Sequence, residues 1–140
     1  MSRTPLRLLA LALILTFTLA ACGGAASNST APKTVTLTMA EFQFQPTEIT
    51  VNVGQPIKLV LQNNGTVLHD FVSTDAMVEV IEEHGAEHDM AGMETNMHAA
   101  VEAGQQSTLE FKATQAGTYT FYCTVAGHKE AGMMGKLIVK

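Results

Sequence analysis

Cysteine and positive charge are both scarce in this chain of 140 residues. Cys22 and Cys123 are the only two cysteines, so a framework of several disulfides is excluded. From Cys22 onward, six lysines face thirteen aspartates and glutamates, a net side-chain charge of −7. No basic cluster stands out, and we expect no nucleic-acid partner. The length allows at most one globular domain.

Long apolar runs are also missing, because the most apolar stretch, Leu8 to Leu19, is too short to span a bilayer stably. Two arginines precede it and the small-residue sequence Leu19-Ala20-Ala21-Cys22 ends it, a pattern that predicts a secretory signal. This end resembles the lipobox of bacterial lipoproteins. The resemblance implies a signal peptide over 1–21 and acyl chains that anchor Cys22 to a membrane outside the cytoplasm. An ordinary signal peptide, with Cys22 incidental, is the alternative.

From Cys22 onward the chain consists of a short polar tether followed by a series of short apolar segments. Residues 22–34 are small and polar and predict a flexible tether. From residue 35 onward, period-2 segments bounded by turn residues predict strands over 35–39, 42–53, 57–62, 67–72, 107–113, 118–123 and 135–139. About seven or eight such strands predict an all-β antiparallel sandwich over 35–140. Its predicted core comprises Phe42, Phe44, Ile49, Val51, Leu59, Leu61, Phe71, Phe111, Tyr119, Phe121 and Ile138.

An insertion over about 75–106 interrupts the strand pattern. Asp75 to Glu83 predicts a short helix with Met77, Val80 and Ile81 on one face. The segment 84–98 that follows predicts a loop or a partly helical excursion. It suggests a secondary metal patch formed by His84, His88, Met90, Met93, Met97 and His98. The alternative, which we favour, is a solvated acidic loop whose methionines pack on the sandwich.

The most informative segment is Tyr-Cys-Thr-Val-Ala-Gly-His-Lys-Glu-Ala-Gly-Met, residues 122–133. It places Cys123, His128 and Met133 at five-residue intervals, and His69 lies 54 residues before the cysteine. Two imidazoles, one thiolate and a weak axial thioether form the ligand set of an electron-transfer copper site. Each residue could instead be ordinary core or surface, but the joint spacing favours metal. Met134 is the alternative axial residue.

Over about residues 35–140 the chain resembles the cupredoxin (blue copper protein) family. Its loop is most similar to the auracyanin type, which has Cys-x4-His-x4-Met with Gly before His and Ala-Gly before Met. The resemblance implies a Greek-key sandwich and one type 1 copper that passes electrons between a redox donor and acceptor. By position it assigns His69, Cys123 and His128 as equatorial ligands and Met133 as the axial ligand. We expect a monomer.

Three residues beside the expected ligands, Asp70, Thr124 and Ala126, are predicted to influence the reduction potential of the copper. Asp70 stands where the family usually has Asn, and we expect its carboxylate to accept the hydroxyl proton of Thr124. A negative charge there would favour Cu(II) and lower the reduction potential. Ala126 replaces the family's usual Pro and restores an N–H that could reach the sulfur of Cys123, which would raise the potential. The net sign is open.

The absence of a second available cysteine beside Cys123 limits the kinds of site that this residue can form. If Cys22 carries lipid, Cys123 has no disulfide partner, and a thiol in an oxidising compartment is a liability unless a metal occupies it. One thiolate also excludes a binuclear copper site, which needs two. We expect an electron carrier and no enzyme, because copper oxidases need further ligands and usually another domain. The alternative is an extracytoplasmic copper carrier or copper-resistance protein that uses 84–98 for exchangeable metal.

Overall fold

The computed structural model describes residues 31–87 and 92–140. The predicted signal peptide, Cys22, most of the tether, His88 and Met90 lie outside these residues. Ten strands and no helix form within the described ranges. The strands are β1 (Lys33–Ala40), β2 (Gln43–Gln45), β3 (Glu48–Val51), β4 (Pro56–Asn63), β5 (His69–Ser73), β6 (Val78–His84), β7 (Met97–Val101), β8 (Gln106–Ala113), β9 (Gly117–Tyr122) and β10 (Met134–Val139). The described part contains no helix long and apolar enough to cross a membrane.

The strands form two five-stranded sheets that pack face to face. One sheet has the order β2-β1-β4-β8-β6 and the other β3-β10-β9-β5-β7. The predicted all-β sandwich is therefore confirmed. Both sheets are mixed rather than purely antiparallel, because β1 runs parallel to β4 and β3 runs parallel to β10. The sequence pattern sets which residues face inward, but strand direction depends on how distant segments pair.

One core lies between the sheets and is filled by alternate residues of the strands. Along β8, for example, every second residue is buried. Burying each large apolar side chain contributes about 1.5–3 kcal/mol relative to exposure. The core includes Leu37, Met39, Phe44, Ile49, Val51, Ile57, Leu59, Leu61, Phe71, Leu109, Phe111, Tyr119, Phe121, Leu137 and Val139.

Two predicted core residues are not in the core. Phe42 is 51% exposed, because it lies in the turn between β1 and β2 with a positive φ of 63°. Ile138 is only partly buried, since the alternation along β10 turns Leu137 and Val139 inward instead. The predicted strand over 42–53 is also divided. Its two halves, β2 and β3, belong to different sheets and flank the turn that contains Pro46.

The insertion forms strands, so the prediction of a helix from Asp75 to Glu83 is wrong. β6 pairs antiparallel with β8 from Val78 opposite Ala113 to His84 opposite Thr108, with a bulge between Val80 and Glu82. If this segment were a helix, the edge of β8 would present unpaired N–H and C=O groups, and the pairing with β6 satisfies them. β7 pairs with β5 at the edge of the other sheet. The insertion therefore adds one edge strand to each sheet.

The fold brings β5 beside the loop that follows β9. Val72 of β5 lies opposite Tyr122 at the end of β9 in an antiparallel pairing. Continuing that register places the start of β5 beside the residues just after Tyr122. All five residues of β5 are buried. His69, the first residue of a buried strand, is thus held against the loop that connects β9 to β10.

Candidate metal centre

Three buried side chains with metal-binding atoms converge at this end of the sandwich. The Sγ atom of Cys123 lies 3.9 Å from Nδ1 of His69 and 3.6 Å from Nδ1 of His128. The potential ligand atoms of the three residues all lie within 4.8 Å of one another, and all three residues are buried. In the described part of the chain this is the one such group of His, Cys and acidic residues. The structure therefore brings together three of the four predicted ligands.

The ligand loop is closed by its own backbone. The N–H of Met133 donates to the carbonyl of His128 at 2.9 Å, and the N–H of Cys123 donates to the carbonyl of Met133 at 3.2 Å. Gly127 and Gly132, directly before His128 and Met133, have positive φ values of 82° and 101°, conformations that favour glycine. These contacts tie the three loop residues to one another before any metal is considered.

Met133 and Met134 differ clearly in position. Met133 is fully buried and belongs to the core cluster, whereas Met134 begins β10 with its side chain exposed. A buried thioether next to the loop is available as a weak axial ligand, and an outward one is not. The burial of Met133 therefore supports it over Met134 as the axial ligand. Its ligand role itself stays a prediction.

Burial favours the neutral forms of two of the candidate ligands, Cys123 and His69. Burial raises the pKa of the Cys123 thiol to about 12, and the carboxylate of Asp70 adds to the rise. Burial, followed by repulsion from His128, lowers the pKa of His69. The metal-free site therefore holds a thiol beside a neutral imidazole, and a metal ion must displace the thiol proton. Two Nδ1 atoms, a free buried thiol and a buried thioether fit one copper ion, since sulfur suits Cu(I) and imidazole suits both oxidation states.

Asp70 braces the ligand loop as predicted. Its Oδ1 accepts the backbone N–H of Thr124 at 2.6 Å, and its Oδ2 accepts the Thr124 hydroxyl. Asp70 is completely buried. The predicted contact is thus confirmed, and it fixes the residue after Cys123 to the residue after His69. Its effect on the reduction potential stays a prediction.

The N–H groups that lower the pKa of Cys123 belong to Asp70 and Val125. Hydrogen bonds of this kind withdraw electron density from a ligating sulfur and raise the reduction potential. Ala126 lies one residue further along and is exposed. The donor role predicted for its N–H stays a prediction, while the two neighbouring amides were not anticipated from the sequence.

The outer side of His69 is also enclosed, which the sequence did not reveal. A Cβ added to Gly65 would lie 2.7 Å from Nε2 of His69 and 2.9 Å from Oε1 of Glu41, so glycine separates the imidazole from this carboxylate. Glu41 is held in place because the backbone N–H and the hydroxyl of Thr66 donate to its Oε1. These bonds, led by the backbone N–H, lower the pKa of Glu41 to about 2. Local sequence carries no signal for this contact between two loops.

A second unanticipated neighbour is Phe42. Its ring meets the ring of His128 edge to face, with centroids 5.2 Å apart and an interplanar angle of 73°. The half-exposed phenyl therefore covers the imidazole of a candidate ligand, which is itself 7% exposed. The sequence placed Phe42 in the core, because its apolar character was assigned to a strand rather than to a turn.

The described members of the predicted secondary metal patch are dispersed. Met97 is buried in the core, and the exposed His84 pairs with Glu82 at 2.9 Å. Met93 accepts a hydrogen bond from the Tyr122 hydroxyl at 3.6 Å. His98 lies against Asp70 and Glu83 instead. The burial of Met97 agrees with the interpretation that the methionines pack on the sandwich, whereas Met93 is 43% exposed.

The fold and the donor set together define a blue-copper type of sandwich. A sequence profile of the cupredoxin-like domain family matches residues 9–139, so the chain belongs to the cupredoxin family. Its members bind one type 1 copper, and the four candidate residues are His69, Cys123, His128 and Met133.

Relatives of two kinds are similar to the chain. It is 35% identical to the copper-resistant cuproprotein CopI of Rubrivivax gelatinosus, covering 79% of this chain and 68% of that protein. It is 30% identical to auracyanin-A of Chloroflexus aurantiacus, covering 96% of this chain and 97% of that protein. The solved structure of auracyanin A, a blue copper protein from the same organism, superposes with a TM-score of 0.61. It is 24% identical and covers 79% of this chain and all of that one, which supports the fold.

Proposed function

We propose that this protein carries single electrons by cycling one type 1 copper between Cu(I) and Cu(II). The observation that carries the proposal is the buried set of two imidazoles and one thiol whose possible ligand atoms lie within 4.8 Å of one another, held by a strand and a hydrogen-bonded loop. His69, Cys123 and His128 would hold the ion, with Met133 as the weak axial ligand. Ligands fixed in advance by the sandwich need to move little when the charge of the ion changes, which favours fast electron transfer.

Electrons would pass to a partner at the end of the sandwich where His128 lies closest to solvent. Phe42 covers its ring, and Val67 and Met134 are further exposed apolar residues in or beside the loops of the site. Apolar contact around the exit allows close approach without a strong, slowly dissociating complex. We propose a redox protein as donor and another as acceptor, no nucleic-acid partner, and a monomeric carrier. We propose an electron carrier rather than an enzyme, because copper oxidases need ligands for further copper ions, and in the described part of the chain only one group of possible His, Cys and acidic ligands is found.

The test is spectroscopic and electrochemical. Copper-loaded protein should show strong absorption near 600 nm from the thiolate–copper bond, lose it on reduction and regain it on reoxidation. Cys123→Ser removes the thiolate and should abolish the band, whereas Met134→Leu is a matched control outside the buried site. A copper-loaded protein without this band, or one that releases copper on reduction, would contradict electron transfer.

A second candidate function is copper handling in resistance, favoured by the similarity to the CopI relative. Delivery requires that the ion leave, whereas electron transfer requires that it stay through both oxidation states. Incubating the Cu(I) form with a competing chelator separates the two. Rapid loss of copper would favour handling, and retention through repeated cycles would favour the electron carrier.

We further propose that the protein is exported and lipid-anchored outside the cytoplasm. The support is the sequence of residues 1–22 alone, which lie outside the described residues. Cys22→Ala should release the protein from the membrane fraction, and mass spectrometry of the wild-type N-terminus should find acyl chains on Cys22. A wild-type N-terminus without acyl chains would contradict the anchor.

A further inference from the structure

Strand β7, which the insertion adds, places a histidine next to the residue that braces the ligand loop. In the β5–β7 register Asp70 lies opposite Ala100 and Val72 lies opposite His98. Asp70 and His98 are therefore diagonal neighbours on one face of the sheet, while His69 points to the other face. Val72 and Ala100, on the same face as Asp70, are fully buried. His98 thus stands on a covered face directly behind the metal site.

Polar contacts connect this histidine to the surface and to the ligand loop. Oε1 of Glu83 lies 3.6 Å from Nδ1 of His98, and Nε2 of His98 lies 4.0 Å from Oδ2 of Asp70. Asp70 in turn accepts the N–H of Thr124 at 2.6 Å. Side-chain exposure falls from 42% at Glu83 to 16% at His98 and zero at Asp70. The contacts lead from solvent to the residue that follows Cys123.

The charge of Asp70 matters to the site because it is buried beside the thiol. A carboxylate in such surroundings acts over several ångströms with little screening by water. It stabilises the more positive oxidation state of a nearby ion, and any group that offsets its charge weakens that effect. A neutral imidazole can direct its N–H dipole at the carboxylate beside it. His98 is the residue placed to do this.

We propose that His98 is a positioning residue for the copper centre, which acts through the neighbouring Asp70 carboxylate by offsetting its charge, so that the insertion helps to set the reduction potential. The proposal rests on the proposed electron-transfer function. It gives the insertion a role at the main site, where the sequence had suggested a separate metal patch. His98 acts through Asp70 and not as a ligand.

The experiment measures the reduction potential of copper-loaded variants. His98→Leu should lower the equilibrium constant for copper reduction at least threefold, which is about 28 mV at 59 mV per tenfold for one electron. His98→Gln, which keeps an N–H donor, should restore part of the loss. His84→Leu is the matched control, because His84 is an exposed histidine of the same insertion that pairs with Glu82.

A double-mutant cycle separates this role from a general structural one. In the Asp70→Asn background the charge to be offset is gone, so His98→Leu should change the potential far less than in the wild type. An unchanged potential in His98→Leu, or an equal shift in both backgrounds, would overturn the proposal. If His98→Leu does not fold, His98→Gln carries the same cycle. Failure of the proposed function is distinct, because the wild type itself would then lack a reversible band near 600 nm.

Discussion

Replacing Asp70 with Asn should raise the reduction potential of the copper site. The substitution removes a buried negative charge and conserves the shape of the side chain. The amide oxygen of Asn can still accept the backbone N–H of Thr124, and its NH₂ group can donate to the Thr124 hydroxyl. The brace between the two loops is therefore preserved, and the change in potential reports the charge.

The magnitude follows from the position of the carboxylate. Asp70 directly follows His69 in β5, and its Oδ1 accepts the backbone N–H of Thr124, the residue after Cys123, at 2.6 Å, so the carboxylate lies close to the sulfur that would bind the metal. At about 6 Å, a unit charge interacts with another by about 3 kcal/mol at an effective dielectric constant near 20, and by about 0.7 kcal/mol in bulk water. For one electron, about 1.4 kcal/mol corresponds to 59 mV. We expect a rise of roughly 30 to 120 mV.

The assay is a redox titration of the copper-loaded wild type and variant, followed by the visible band, at pH 7 and low salt. Glu110→Gln is the matched control, because it removes the same charge from a carboxylate that pairs with Lys58 on the other sheet. It should leave the potential almost unchanged. An unchanged or lowered potential in Asp70→Asn would refute the electrostatic reasoning.

Three further predictions concern the ligands themselves. Gly65→Ala would place a methyl group 2.7 Å from Nε2 of His69, and this steric clash should displace the imidazole from its position, so copper affinity should fall at least about tenfold in a metal titration. An affinity equal to that of the wild type would contradict the prediction that this clash disturbs His69. In the metal-free protein the pKa of Cys123 is raised from 9.0 to about 12, so the unfolded chain loses this proton first as pH rises. The free energy of unfolding should therefore fall between pH 9 and 12 by up to about 1.4 kcal/mol per pH unit in urea titrations, and Cys123→Ser should remove that part of the slope. Met133→Leu should shift the visible and EPR spectra of the copper form while Met134→Leu should not; the reverse result would reassign the axial ligand.

The burial of strand residues could be predicted from the sequence where it depends only on the alternation of neighbouring residues. Alternation along β8 and β9 predicted buried Phe111 and Phe121, because side chains of a strand point to opposite faces in turn. The same logic failed at Phe42, where a turn replaces the strand. It also failed from Asp75 to Glu83, whose apolar spacing fits a helix, while the open edge of β8 made a strand more favourable. Pairing with a distant partner is invisible to a local pattern.

The sequence by itself determined the ligand types and the spacing of the loop, because Cys123, His128 and Met133 lie within eleven residues and close on one another through local backbone bonds. The tertiary structure decided that His69 meets them, since this requires β5 to lie beside β9. It also decided that His98 of the insertion stands behind Asp70, through a pairing of β5 with β7. Local chemistry is written in neighbouring residues, whereas contacts between strands follow from the packing of the whole sandwich.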